Sequence, residues 1–139
     1  ALFYLITLLL PFVGASQLVH VDPVGGNNAG GCGTAGNPCE TIQYTVDLVA
    51  NAGDTIYLHS GTYSLAQAVT GLTAIVELPA DKSFHFVGDS IGTGALLDGG
   101  SKRRGFHYDH SSGCSISGTV QNNMAETHRF SFTNLRFEN

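Results

Sequence analysis

Apolar and polar positions change period several times along the chain, and each change marks an element. Gln17-Leu18-Val19-His20-Val21-Asp22 is an alternating pattern that suits a first strand. In Thr41 to Ala50 the apolar residues Ile42, Val46, Val49 and Ala50 recur at helical spacing, so a short helix with one apolar face is expected, with Thr41 capping its start and Gly53 its end. Gly53-Asp54-Thr55-Ile56-Tyr57-Leu58-His59-Ser60-Gly61-Thr62-Tyr63 then reads as a stop, a strand of β-branched and aromatic residues, and a second turn at Ser60-Gly61.

Short apolar runs centre on Ile56, Ile75-Val76, Leu96-Leu97, Ile116 and Leu135, a step of roughly 20 residues, within the range of repeat architectures. A second series, Phe84-His85-Phe86-Val87, Phe106-His107-Tyr108 and Phe130-Ser131-Phe132, interleaves with it. Alternation in Phe84-His85-Phe86 and in Phe130-Ser131-Phe132 places the rings inside and the polar residues outside. Turns fall at Val87-Gly88-Asp89, Ile91-Gly92-Thr93-Gly94, Asp98-Gly99-Gly100 and Ser112-Gly113, where glycine accepts positive φ at no steric cost. Residues 117 to 129 break the pattern and are expected to form a protruding loop.

A helix that feeds through Gly53-Asp54 into a strand and then Gly61-Thr62-Tyr63 closely resembles the start of right-handed parallel β-helix proteins, the pectin-lyase-like superfamily. Pro38-Cys39-Glu40-Thr41-Ile42-Gln43 is similar to the opening of its capping helix, and Asp81 to Gly88, Ala95 to Gly100 and Phe130 to Asn139 are similar to its coils. The resemblance covers about residues 19 to 139. It implies an all-β fold, a right-handed parallel β-helix (β-solenoid) with a short N-terminal capping α-helix, truncated at its C-terminal end. Enzymes of that superfamily include pectate lyases, polygalacturonases and pectin methylesterases, and none of their catalytic motifs matches a residue here.

Residues 1 to 15 are uncharged, too short in their apolar part for a comfortable membrane span, and end in small residues with Val13 and Ala15 spaced for signal peptidase. Residues 1–16 are therefore expected to be an incomplete secretory signal, and residues 17–139 the N-terminal part of the β-helix domain, with no membrane span in the mature chain. About 120 residues then remain, enough for one domain with a single core. Charged residues make up only 12% while glycine numbers 18, favouring many turns between short strands over a charged helical bundle. A formal charge of −5 offers no basic footprint for nucleic acid.

Cys32 and Cys39 flank the flexible loop Gly33-Thr34-Ala35-Gly36-Asn37-Pro38, and in an exported chain they are expected to pair, a closure contributing about 2 kcal/mol in the chain-entropy model. Cys114 is then left as a buried thiol or as half of a bridge to sequence outside this chain. No CxxC or HxxxH spacing suggests zinc. The glycine run in residues 25–31 lacks the GK[ST] ending of a phosphate loop and reads as a plain loop.

Candidate chemistry is sparse. His107, Asp109 and His110 cluster in Phe106-His107-Tyr108-Asp109-His110, and an acid with two imidazoles can bind a metal or move protons, but the spacing matches no metal signature and a solvated outer face is the commoner fate. His59 and His85 are single polar positions on apolar strands. Asp98 and Asp109 are the carboxylates one would pair for glycoside hydrolysis, although Asp98 sits in an Asp-Gly-Gly turn where it serves its own backbone. Lys102-Arg103-Arg104 is a basic patch able to grip a uronate carboxylate. The possible glycan contacts are therefore Lys102, Arg103, Arg104, His107 and Asp109; no catalytic, cofactor or metal residue is assigned.

Two functions follow as expectations. One is a secreted or surface-displayed structural, adhesive or glycan-binding β-helix, with polysaccharide or cell-surface glycan as partner. The other, by fold analogy, is the N-terminal part of a polysaccharide lyase or hydrolase acting on acidic, pectin-like glycans.

Overall fold

The computed structural model describes residues 14–64, 74–79, 82–100, 104–110, 114–115 and 130–138, with backbone alone for 104, 108–110 and 114–115. In chain order the elements are β1 (Leu18–Val21), α1 (Ile42–Tyr44), a π-helical turn (Thr45–Val49), β2 (Thr55–Leu58), β3 (Gly61–Ser64), β4 (Ala74–Leu78), β5 (Phe84–Gly88), β6 (Ala95–Asp98), β7 (Arg104–His110), β8 (Cys114–Ser115), β9 (Phe130–Thr133) and β10 (Leu135–Glu138). Three sheets result, ordered β1-β2-β5-β9, β10-β6-β3 and β4-β7-β8. Among the described residues all strand pairings are parallel except the antiparallel β7–β8 pair.

The expected right-handed β-helix is overturned. The strands gather in three small separate sheets beside one short helical segment, and the β7–β8 pair runs against the rest. The expected stride fails with it: Ile56 lies in the first sheet, Ile75 in the third, and Leu96 and Leu135 in the second, while Ile116 lies outside the described residues. Residues that do sit side by side are farther apart in sequence. Glu77 stands beside His107, a separation of 30, and His85 beside Ser131, a separation of 46. From β2 to β7, and again from β8 to β10, consecutive strands enter different sheets, so the step between successive apolar runs is not the distance between partners.

Within each strand the alternation works as read. Phe84 and Phe86 are buried and His85 is exposed; Val19 and Val21 are buried while His20 stands half-exposed. Parallel pairing aligns the inward positions in register, so Val19, Ile56, Phe86 and Phe132 form one row and Tyr63, Leu97 and Phe137 another. The core gathers Val19, Val21, Ile56, Leu58, Tyr63, Val76, Phe84, Phe86 and Leu97, with Ile42, Val46 and Ala50 from the helical segment packed against them. Phe132 departs from expectation: it lies in register with Phe86 and its ring stacks on it at 5.4 Å, yet it is 46% exposed, because β9 is the edge strand.

Thr41 caps α1 as expected, its Oγ1 accepting from the Tyr44 N–H at 3.3 Å. One helical turn then widens: Ala50 N–H donates to the Thr45 carbonyl, five residues back, and the Lys82 ammonium donates to the carbonyls of Val46 at 3.1 Å and Ala50 at 3.2 Å. Lys82 thus satisfies the carbonyls that a helix end leaves without partners.

The Cys32–Cys39 disulfide is formed. The loop it closes lies along the outer edge of β1, where His20 N–H donates to Gly33 O, Cys39 N–H to His20 O and Asp22 N–H to Cys39 O. An edge strand would otherwise present these groups unpaired. Cys114 lies in β8, and its side chain is outside the described residues. So are residues 1–13 of the expected leader and the expected loop at 117–129. No helix among the described residues is long and apolar enough to cross a membrane.

Candidate binding face

The outer face of the four-stranded sheet is where the strand alternation brings polar and aromatic side chains together. β1 turns His20 outward, β2 turns Tyr57 outward, and His59 and Asp89 follow at the ends of β2 and β5. Parallel register sets His20 beside Tyr57, which itself lies beside Val87. His20 Nδ1 and His59 Nε2 are 3.0 Å apart, a hydrogen bond in which one ring must donate and the other accept. The Tyr57 ring centroid lies 5.4 Å from that of His20 and 5.2 Å from that of His59, nearly perpendicular to the latter at 88°.

Two carboxylates border these rings, and each is also anchored in a turn. Asp22 Oδ1 accepts from the N–H groups of Val24 and Gly25, both at 2.9 Å. Asp89 Oδ1 accepts from Ile91 N–H at 2.9 Å. These are Asx turns, the local geometry that aspartate favours.

The electrostatics follow from this packing. Burial, and then the neighbouring charge of His59, lower the pKa of His20. Burial pulls the Asp22 carboxyl upward, but the N–H groups of Gly25 and Val24 and the charge of His59 outweigh it, and the net shift is down. Burial, with the charge and hydrogen bond of Asp89, raises the Tyr57 phenol. At neutral pH the face therefore offers a neutral His20 imidazole, a neutral Tyr57 phenol and an ionised Asp22 carboxylate.

The glycan contacts expected from sequence fall elsewhere. Lys102 and Arg103 lie outside the described residues, and Arg104 opens β7 in the third sheet. His107 sits in register with Glu77 on β4, and its Nδ1 meets the Glu77 carboxylate. Asp109 is two positions along β7, opposite Ser115, with its side chain outside the described residues. Asp98 Oδ1 accepts from Gly100 N–H at 2.8 Å, the turn contact expected of it. His59 and His85 both face outward, and His85 Nδ1 meets Ser131 Oγ at 2.7 Å.

Sequence reasoning passed over His20, Tyr57, Asp22 and Asp89. The outward phase of His20 and Tyr57 was readable from alternation, but the juxtaposition depends on β1 lying beside β2 in a particular register. Among the described residues no group of three or more His, Cys, Asp or Glu side chains is placed to hold a metal ion. No protein-family profile, characterised protein or solved structure matches the chain, so the likeness to the pectin-lyase-like superfamily rests on its motifs alone.

Proposed function

We propose that the chain is an extracellular glycan-binding domain whose contact surface is the outer face of the four-stranded sheet around Tyr57. The observation that carries this reading is the triad of His20, Tyr57 and His59, partly exposed rings within 5.2 to 5.4 Å of one another on a rigid sheet and bordered by Asp22 and Asp89. An aromatic face packs against the apolar side of a pyranose, and imidazoles and carboxylates supply hydrogen-bond partners for its hydroxyls. A sheet holds those groups with little ordering cost on binding.

Binding is favoured over hydrolysis because both bordering carboxylates are committed to backbone N–H groups of their own turns. The disulfide between Cys32 and Cys39 and the apolar stretch at residues 1–15 are in keeping with export, where such bridges persist. Titration of the purified chain against a panel of neutral and acidic oligosaccharides tests the proposal. Saturable binding that is lost in Tyr57→Ala and His20→Ala is expected. A folded chain that binds no member of the panel, or a Tyr57→Ala variant that binds as well as the parent, would refute it.

A further inference from the structure

Among the described residues the core is closed at one side and open at the other. The disulfide loop covers the β1 edge, whereas β9 and β10 are edge strands of their sheets. Along the inward row Val19, Ile56, Phe86 and Phe132 exposure rises from 5% and 0% to 46% at the last strand. Along Tyr63, Leu97 and Phe137 it rises from 1% to 59%. The Phe137 ring lies over Gly105, where an added Cβ would come within 2.6 Å of it, and meets Phe106 edge-on at 6.2 Å. Phe106, itself partly buried, packs on Phe132 at 4.7 Å and so links the two exposed rings into one patch.

Among the described residues no strand pairs with the outer edge of β10, and its sequence complements itself. Gly99 N–H donates to the Glu138 carbonyl at 3.0 Å, which turns Glu138 toward β6. Alternation along a strand then turns the N–H and C=O of Phe137 to the open side. Two β10 strands run antiparallel with Phe137 opposite Phe137 would exchange both backbone hydrogen bonds at that residue. The same register places Arg136 opposite Glu138 of the second copy, twice over.

We propose that this edge is a homodimer interface, in which β10 pairs antiparallel with β10 of a second copy about a two-fold axis at Phe137. Such an interface is isologous and closes on itself, so it yields a dimer and not a fibre. The aromatic patch supplies the apolar centre and the Arg136–Glu138 pairs set the register, since opposite charges directly across strands stabilise and like charges destabilise. Arg136 donates through one guanidinium nitrogen to Thr93 O at 3.1 Å, and its remaining N–H groups are enough for a carboxylate.

Sedimentation of the full chain at rising concentration tests this. The parent is expected to form dimers, and Arg136→Glu and Glu138→Arg alone to be monomeric, because each sets like charges opposite one another twice. An equimolar mixture of the two variants is expected to restore a dimer made of one copy of each, a result that also shows both variants to be folded. A parent chain that stays monomeric, dimers that persist in either single variant, open-ended assembly, or a mixture that remains monomeric would each overturn the proposal.

Discussion

The side-chain amide of Gln43 pairs with the backbone of Glu77 as a peptide group would: its Oε1 accepts from Glu77 N–H at 2.7 Å and its Nε2 donates to Glu77 O at 3.1 Å. Asp47, one helical turn on, accepts from the same Nε2 at 3.0 Å and fixes its orientation. Gln43 is buried and β4 is an edge strand, so a helix side chain takes the place of a neighbouring strand. This joint fastens the helical segment to the third sheet.

Gln43→Leu should therefore be costly although it preserves apolar bulk. It strands one backbone donor and one acceptor away from water, and each such loss costs about 1 to 3 kcal/mol. A fall in unfolding free energy of about 2 to 4 kcal/mol is expected in urea denaturation, given partial relaxation toward solvent. A loss below about 0.5 kcal/mol, the range of surface substitutions, would mean that the joint contributes nothing.

The disulfide loop is expected to protect an edge as well as to shorten the unfolded chain. Cys32→Ser/Cys39→Ser should lower stability by about 2 kcal/mol through loop closure. Amide exchange at His20 and Asp22 should accelerate more than exchange at Ile56 or Phe86, because only the former donate to the loop. Uniform acceleration across the sheet would indicate a purely global effect.

How much of this was legible in the chain divides at the strand. Thr41 as a cap, the Cys32–Cys39 bridge, the Asp98 turn and the inward phase of Phe84 and Phe86 are local, set by neighbours within a few residues, and all could be read. Which strand lies beside which is not local. The run at Ile75 and the run at Leu96 look alike in sequence yet enter different sheets, and this is why the inferred stride and the β-helix drawn from it failed. The His20–His59 contact depends on the same unreadable choice, as does the exposure of Phe132, which has the alternation of a core residue but sits on an edge strand.

Acid should weaken the fold from the imidazole range downward. The pKa of His20 is lowered from 6.5 in the folded chain, so as pH falls through that value the unfolded chain takes up its proton first and stability is lost. The loss levels off once folded His20 is protonated as well. Asp22, also lowered from 3.8, adds a second decline: the unfolded carboxyl protonates first, and the stability present above 3.8 disappears as pH drops through the folded value. Melting temperature measured against pH should show both steps, and His20→Asn should remove the upper one while sparing the lower. An upper step unchanged in His20→Asn would assign it to another group.

Tyr63 links the core to the binding face, and its hydroxyl is the point of contact. The ring is buried in the inward row with Leu97, and its hydroxyl lies 3.0 Å from both the Val21 and the His59 carbonyl oxygens, donating to that pair. Burial, with the charges of Asp22 and Asp89, raises its pKa, so the phenol stays protonated and able to donate throughout the physiological range. Tyr63→Phe keeps the ring and removes the donor, for an expected stability loss of about 1 kcal/mol, the typical net worth of one such bond. The larger consequence should be at His59, whose carbonyl loses its donor and whose backbone is then held against the end of β1 by its own N–H bond to Val21 O alone. The His20–His59 hydrogen bond should then open part of the time, and the histidine ring resonances of both residues should broaden or shift in NMR spectra while those of His85 stay in place. Unchanged His20 and His59 signals in a folded Tyr63→Phe chain would separate the core from the face and leave Tyr63 a purely internal strut.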